Sequence, residues 1–301
     1  MKRIFKTAGL LGLALVFLLI AIALTAKVFC ARKLERVVEV QVSPVALPTD
    51  PASLQHGKYL YDSRGCAECH GADGSGKVVI DAPNGFLVKA PDITLGQGGV
   101  TRAYQPADWV RTIRHGVKPN GNPLFLMPSE DYNRLTDVDV GDLAAYVLSL
   151  PPQTGSGADI HLPLLLQALY GFDAIKDSAE KIDHNLPPAR PVAEAISIEH
   201  GAYISSTCSG CHGPGFSGGK IPGTPPDWPP AANLTPGPGS VMPRYDSLDK
   251  FKAMLRSGQR PDGSAVSKVM PFASLKTLND VDVAALYMYL KTVPAQARGN
   301  R

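Results

Sequence analysis

The chain opens with an unbroken apolar run. From Thr7 to Ala26 there is no charged residue, and Leu, Ala, Ile, Val and Phe dominate. Wound as a helix, these 20 residues extend about 30 Å, the thickness of a bilayer's hydrocarbon core. A membrane-spanning helix is therefore predicted within residues 1–28. Beyond it, short amphipathic stretches alternate with Gly- and Pro-rich segments. Val140, Leu143, Ala144, Val147 and Leu148 recur at helical spacing and predict a helix over Asp137–Leu150. Thr136 is a suitable N-cap, with Asp139 three residues on, and Asn279 and Asp282 repeat this ahead of Asp280–Thr292. Pro151 and Pro294 end the two helices. Middle helices are predicted at Asp108–His115 and Leu248–Ser257, and first helices at 52–65 and 196–207. Residues 71–107 and 213–247 fit no long helix or strand and read as extended loops wrapped around something.

The pattern is duplicated. His56-Gly57-Lys58-Tyr59 returns as His200-Gly201-Ala202-Tyr203, and Cys66-Ala67-Glu68-Cys69-His70-Gly71 as Cys208-Ser209-Gly210-Cys211-His212-Gly213. Met127-Pro128 returns as Met270-Pro271, and Leu135-Thr136-Asp137-Val138-Asp139-Val140 as Leu278-Asn279-Asp280-Val281-Asp282-Val283. The organisation expected is an anchor at 1–28, a linker at 29–51, domain 1 at 52–152, a connection at 153–194, domain 2 at 195–294 and a tail at 295–301. The linker is long enough to let the head range about 76 Å if fully extended. Within the connection, Leu162–Ile175 is apolar and too short to cross a membrane. It reads as a helix packed across the two domains, with contact to a membrane surface as the alternative.

Charge sharpens this. The formal net charge of +3 is the sum of a +6 leader over residues 1–36 and a −3 body. Lys2, Arg3 and Lys6 ahead of the span favour a cytoplasmic N-terminus and an exported body. Lys27, Arg32, Lys33 and Arg36 beyond the span reduce that contrast. A cleaved signal peptide with Ala21-Ile22-Ala23 as its processing site is the alternative, and it exports the body too. The small net charge argues against a nucleic-acid partner. Aromatic residues are only 7% of the chain, which is lean for a core of side chains alone.

Four of the five cysteines fall in two C-x-x-C-H motifs, Cys66/Cys69/His70 and Cys208/Cys211/His212. This is the pattern of covalent c-type haem attachment, with two thiols as tethers and the histidine as proximal iron ligand. A zinc site or redox dithiol would be the alternative, but zinc needs two further ligands and neither repeat has another cysteine. Cys30 lacks a small residue before it and is an unassigned thiol. Met127 lies 57 residues after His70 and Met270 58 after His212, each ahead of Pro. They are the expected sixth ligands rather than core filler. Met242-Pro243 has its repeat counterpart near Thr101 and is assigned to the loop. Tyr59, Tyr203, Gly57 and Gly201 are expected to pack each first helix on its closing helix. Arg114 and Arg256 could pair with haem propionates or lie on a helix surface. His56, His200 and His115 are expected to face solvent.

The order C-x-x-C-H, Gly/Pro-rich loop, Met-Pro, then a Thr/Asn-Asp-x-Asp-led helix resembles the class I c-type cytochromes, over both domains. The anchored tandem arrangement, the Leu-Pro-rich connection and Pro222-Gly223-Thr224-Pro225-Pro226 are similar to bacterial membrane-bound dihaem cytochromes and to the cytochrome subunits of alcohol and gluconate dehydrogenases. Those subunits typically carry three haem motifs, and this chain has two. The resemblance implies an all-α protein of two tandem haem domains behind one transmembrane helix, with two covalent haem c groups.

The expected activity is one-electron transfer rather than catalysis on a substrate. The chain would sit in the bacterial inner membrane with its haem domains in the periplasm. Its partners would be redox proteins: a quinol-oxidising complex or dehydrogenase on one side, a terminal oxidase or soluble cytochrome on the other. Haem propionates would add negative charge to the body, which suits a partner with a basic docking face. A fixed cytochrome subunit of a dehydrogenase complex is a further reading. Dihaem peroxidases and small-anion-oxidising enzymes are rivals, but they need an open iron position, whereas each repeat here keeps its own Met-Pro.

Overall fold

The computed structural model describes residues 2–225 and 227–300. Pro226, the last residue of the Pro-Gly-Thr-Pro-Pro segment, and Arg301 of the tail lie outside the described residues. The chain is mostly helical. Helix α1 (Lys2–Glu35) is long and apolar enough over Phe5–Glu35 to cross a membrane. Domain 1 contains α2 (Pro51–Ser63), α3 (Cys66–His70), strands β1 (Val78–Asp81) and β2 (Leu87–Lys89), α4 (Pro106–His115), α5 (Ser129–Tyr132) and α6 (Asp137–Ser149). The connection holds β3 (Asp159–His161) and α7 (Leu164–Gly171). Domain 2 repeats the helices as α8 (Ile198–Ser205), α9 (Ser209–His212), α10 (Leu248–Ser257), α11 (Phe272–Leu275) and α12 (Asp280–Leu290). The three short strands form one antiparallel sheet in the order β1-β2-β3, a feature the loop-like sequence of 71–107 did not announce.

Each domain is built on a crossing of its first and closing helices. A Cβ on Gly57 would lie 2.0 Å from the Asp142 carbonyl oxygen, and one on Gly201 would lie 2.1 Å from that of Ala285. Only glycine lets the α2–α6 and α8–α12 backbones approach so closely. The capping expected of the closing helices is present: Asp139 N donates to Thr136 Oγ1 at 3.0 Å and Asp282 N to Asn279 Oδ1 at 2.8 Å. Leu60, Tyr61, Trp109, Ile113, Leu143 and Val147 form the core of domain 1. Ile204, Phe251, Leu255, Leu286 and Leu290 form that of domain 2.

The two tyrosines depart from expectation. Tyr59 does not stop at its own closing helix: its hydroxyl donates to Asp282 Oδ2 of domain 2 at 2.5 Å and accepts from Asn279 N at 3.1 Å. Tyr203 reciprocates, donating to Asp139 and accepting from Thr136 N. Each domain thus caps the other's closing helix. Arg64 is buried at this seam, 3.4 Å from Asp282 Oδ2. His200 also corrects the solvent-facing expectation: it is buried, with Nε2 2.7 Å from Asp282 Oδ1. His56 is partly exposed and pairs with Asp142 at 2.8 Å. His115 is buried against His184, with Nδ1 atoms 3.0 Å apart.

The linker expected at 29–51 is not a free tether. Helix α1 continues to Glu35, and the residues after it strap along domain 1. Val38 N donates to Gly121 O, Val45 enters the core, and Gly141 packs on the Ala46 carbonyl. Helix α7 packs on α1 rather than across the two domains. Arg36 grips Asp177 at 2.6 Å, and Lys33 bonds Asp173 at 2.6 Å.

Candidate functional site: two haem-attachment centres

The two C-x-x-C-H segments have the same local geometry. In domain 1 the short helix α3 ends at Gly71, whose φ of 79° favours glycine. Gly213 ends α9 with φ 81°. The carbonyl of each histidine accepts from a glycine N–H at 2.9 Å: Gly76 to His70 and Gly218 to His212. Each imidazole is then turned by a carbonyl. His70 Nδ1 donates to Pro91 O at 3.0 Å, and His212 Nδ1 to Ala232 O at 2.8 Å. A carbonyl oxygen only accepts, so Nδ1 carries the proton and Nε2 keeps the lone pair that a metal uses. Burial pushes the His70 imidazole below its ordinary value, which keeps it neutral as a ligand must be.

Burial also pushes the Cys66 thiol up to about 12 and the Cys208 thiol to about 11. Cys69 is half-buried, and Cys211 is exposed. Raised thiols suit neither a reactive dithiol nor thiolate coordination of zinc. Among the described residues no three His, Cys, Asp or Glu side chains converge as metal ligands.

Met127 and Met270 sit in matching turns. Ser129 N donates to Met127 O, and Phe272 N to Met270 O, both at 2.8 Å. The intervening Pro128 and Pro271 have φ of −79° and −78°. In domain 2, Met270 lines an apolar cavity together with Cys208, His212, Tyr245, Phe251, Leu286 and Leu290. The cavity also receives Met242 and Met254. Met242 is therefore a cavity residue as well as a loop residue. Met254 escaped the sequence reading because its repeat counterpart is Thr112. In domain 1, Cys66 and Met127 pack against the buried cluster that includes Trp109, Ile113, Leu143 and Val147. The repeat counterparts of those four residues, Phe251, Leu255, Leu286 and Leu290, line the cavity of domain 2.

A haem fits these surroundings. Its macrocycle needs apolar walls and its propionates need donors. In domain 1, Trp109 Nε1 and Arg114 Nε and Nη2 are buried without a hydrogen-bond partner. Such groups are costly unless an acceptor is supplied. Arg114 Nη1 bonds Asp137 at 2.7 Å, and Arg256 bonds the equivalent Asp280 at 3.1 Å. Both arginines thus tie a middle helix to a closing helix, and Arg114 keeps two donors in reserve.

The attachment motifs also touch the opposite domain. Glu68 Oε1, inside the first motif, accepts from Ser274 N at 3.0 Å and from its hydroxyl. Gly210 N, inside the second, donates to Asp131 Oδ1 at 2.8 Å. Glu68 and Gly210 are repeat equivalents, as are Asp131 and Ser274, so each motif abuts the segment after the other domain's Met-Pro. Burial, helped by the charge of Glu130, pushes the Asp131 carboxyl up to about 7. The motif's middle residues were read only as spacers, so sequence reasoning missed this contact.

Known proteins share this pattern. The family described as cytochrome C oxidase, cbb3-type, subunit III matches residues 52–147 and again 199–290. The fructose dehydrogenase cytochrome subunit of Gluconobacter japonicus is 28% identical over 290 residues, covering 85% of this chain and 57% of the relative. The cytochrome c subunit of alcohol dehydrogenase (quinone) from Gluconacetobacter polyoxogenes is 28% identical, covering 81% and 57%. The cbb3-type cytochrome c oxidase subunit CcoP of Helicobacter pylori (strain 52) is 32% identical over 123 residues, covering 40% of this chain and 36% of the relative. The chain spans under two thirds of the length of these relatives. With one domain model matched twice, over more than half of the chain in all, the chain belongs to the cytochrome c family.

Proposed function

We propose that the protein is a membrane-anchored dihaem c-type cytochrome. It passes single electrons on the periplasmic side, from a quinol-oxidising complex or dehydrogenase to a terminal oxidase or soluble cytochrome. The observation that carries this reading is the paired geometry of His70 and His212, each held by a backbone carbonyl inside a C-x-x-C-H turn and each matched by a Met-Pro turn. Cys66, Cys69, Cys208 and Cys211 would tether two haem c groups, His70 and His212 would bind iron on one side, and Met127 and Met270 on the other. Haem held in this way supplies one-electron Fe(III)/Fe(II) exchange, with no position left for substrate.

Apolar side chains wall the cavity of domain 2, and each imidazole donates Nδ1 to a backbone carbonyl. The reciprocal contacts of Glu68 with Ser274 and of Gly210 with Asp131 hold the two attachment segments against the partner domain, as an internal relay requires. The apolar outer surface of α1 supports the anchor. A second reading, a fixed cytochrome subunit of a dehydrogenase complex, is favoured by the names of the relatives.

Purification of the full chain in mild detergent tests both. A covalent haem count of two, two Met-to-ferric-iron charge-transfer bands per chain and no peroxide turnover are expected. One high-spin haem with peroxide turnover would overturn the carrier reading. A large catalytic subunit that stays bound through purification would select the fixed-subunit form.

A further inference from the structure

We infer that the segment around α7 forms a second contact with the lipid bilayer, seated at headgroup depth beside α1. This rests on the reading of α1 as a membrane anchor. Helix α7 is not a core helix: Leu165 is 70% exposed, Phe172 50% and Leu164 45%. On the face of α1 that α7 covers, Ala26 and Cys30 are buried, and a Cβ on Gly171 would lie 2.8 Å from Cys30 N and 3.1 Å from Ala26 O. Ala26 is the last residue of the uncharged run of α1. The C-terminal end of α7 therefore lies where that run leaves the hydrocarbon.

Neighbouring side chains mark the same depth. Lys27 and Arg32 of α1 are exposed on either side of the contact and suit lipid phosphates. Phe29 packs edge-on against Phe172 with ring centroids 5.6 Å apart, and both rings remain partly exposed. Exposed Leu and Phe side chains continuous with an apolar membrane helix, beside basic residues, are the composition of an interfacial helix. The ion pairs of Lys33 with Asp173 and of Arg36 with Asp177 hold the segment just after α7 to the end of α1 and so fix this pad to the anchor. The haem domains then stand at a set height and tilt above the membrane.

The test uses the full chain in liposomes that contain anionic lipid and a lipid with a photoreactive group close to the headgroup, with adducts mapped by mass spectrometry. Adducts on 162–172 as well as on α1, and a several-fold loss of the former in Leu165→Glu with haem content unchanged, are expected. Adducts on α1 without any on 162–172 would overturn the inference and leave the anchor standing. Adducts on neither segment would overturn the anchor reading and the inference with it.

Discussion

The Tyr59 hydroxyl donates to Asp282 Oδ2 across the domain seam at 2.5 Å, and Tyr203 makes the mirrored bond to Asp139. Because Asp139 and Asp282 each sit in the first turn of a closing helix, the duplicated domains hold one another by exchanging caps. Burial pushes the Tyr59 hydroxyl up to about 12, so it stays a donor at any physiological pH. A buried arginine serves the seam. Burial works against the charge of Arg64, but Asp282 and, further down, Asp139 outweigh it and hold the guanidinium protonated. The repeat counterpart of Arg64 is Ser206, so the repeat does not supply a second arginine at the equivalent position.

Loss of this cation should cost more than loss of either hydroxyl. Tyr59→Phe or Tyr203→Phe leaves a buried carboxylate one donor short, at a cost of about 1–3 kcal/mol. Arg64→Met takes the guanidinium away from the buried Asp282 carboxylate, at a cost of about 3–5 kcal/mol. Denaturant unfolding of the haem-loaded protein measures both. Near-zero change in Arg64→Met would mean that the seam is solvated rather than buried.

The pH dependence of stability should carry two opposed contributions. The folded Asp131 carboxyl, pushed up to about 7 from an ordinary 3.8, holds a proton that the unfolded chain releases. Its contribution therefore favours the native state at low pH and is lost as pH rises from about 4 to about 7. His115 is pushed the other way, down to about 4, by burial first and then by His184 and the nearby arginines. Its contribution is present above about 6.5 and is lost as pH falls towards 4. Each group contributes a slope of up to about 1.4 kcal/mol per pH unit within its window. Asp131→Asn, which still offers Gly210 N an acceptor, should therefore make stability rise more steeply with pH between 4 and 6.5, as measured by unfolding at a series of pH values.

Much of the candidate site was legible in the sequence because its demands are local. Covalent attachment requires two cysteines and a histidine at fixed spacing, and the turn after them needs glycine at 71 and 213. The repeat then pairs Met127 with Met270 without any structure. Gly57 and Gly201 were also legible, since a close helix crossing admits little else. The partners of Tyr59 and Tyr203 were not. Their position on an amphipathic helix suggests packing within the domain, and nothing local marks a hydroxyl whose acceptor is 223 residues away. His200 failed for the same reason: its burial depends on Asp282 at the seam. The linker failed because its residues carry no periodic pattern, yet Val38 and Val45 find partners on domain 1 through isolated contacts.

The helix crossings give a sharp steric test. Gly57→Ala would place a methyl 2.0 Å from the Asp142 carbonyl oxygen, and Gly201→Ala one at 2.1 Å from that of Ala285. The obstacle is helix backbone, which cannot turn aside as a side chain would. Each substitution should cost about 1–3 kcal/mol or more by forcing α2 from α6 or α8 from α12. Gly85→Ala is a useful comparison: its φ of 82° strains alanine, but nothing lies within 4 Å. A Gly57→Ala protein no less stable than Gly85→Ala in denaturant would show that the crossing is looser than described.

The sixth ligand of the second centre can be decided among three thioethers. Met242, Met254 and Met270 all line the domain 2 cavity, but only Met270 shares its backbone turn with Met127. Met270→Ala should keep both haems attached, abolish one of two Met-to-ferric-iron charge-transfer bands, lower one midpoint potential and open that centre to carbon monoxide. Met127→Ala should do the same at the first centre. Met242→Ala and Met254→Ala remove only apolar contact, so both bands should survive with a stability loss of about 2–5 kcal/mol. If Met242→Ala abolishes a band while Met270→Ala leaves both, then the ligand comes from the loop before α10, and the two centres are not built alike.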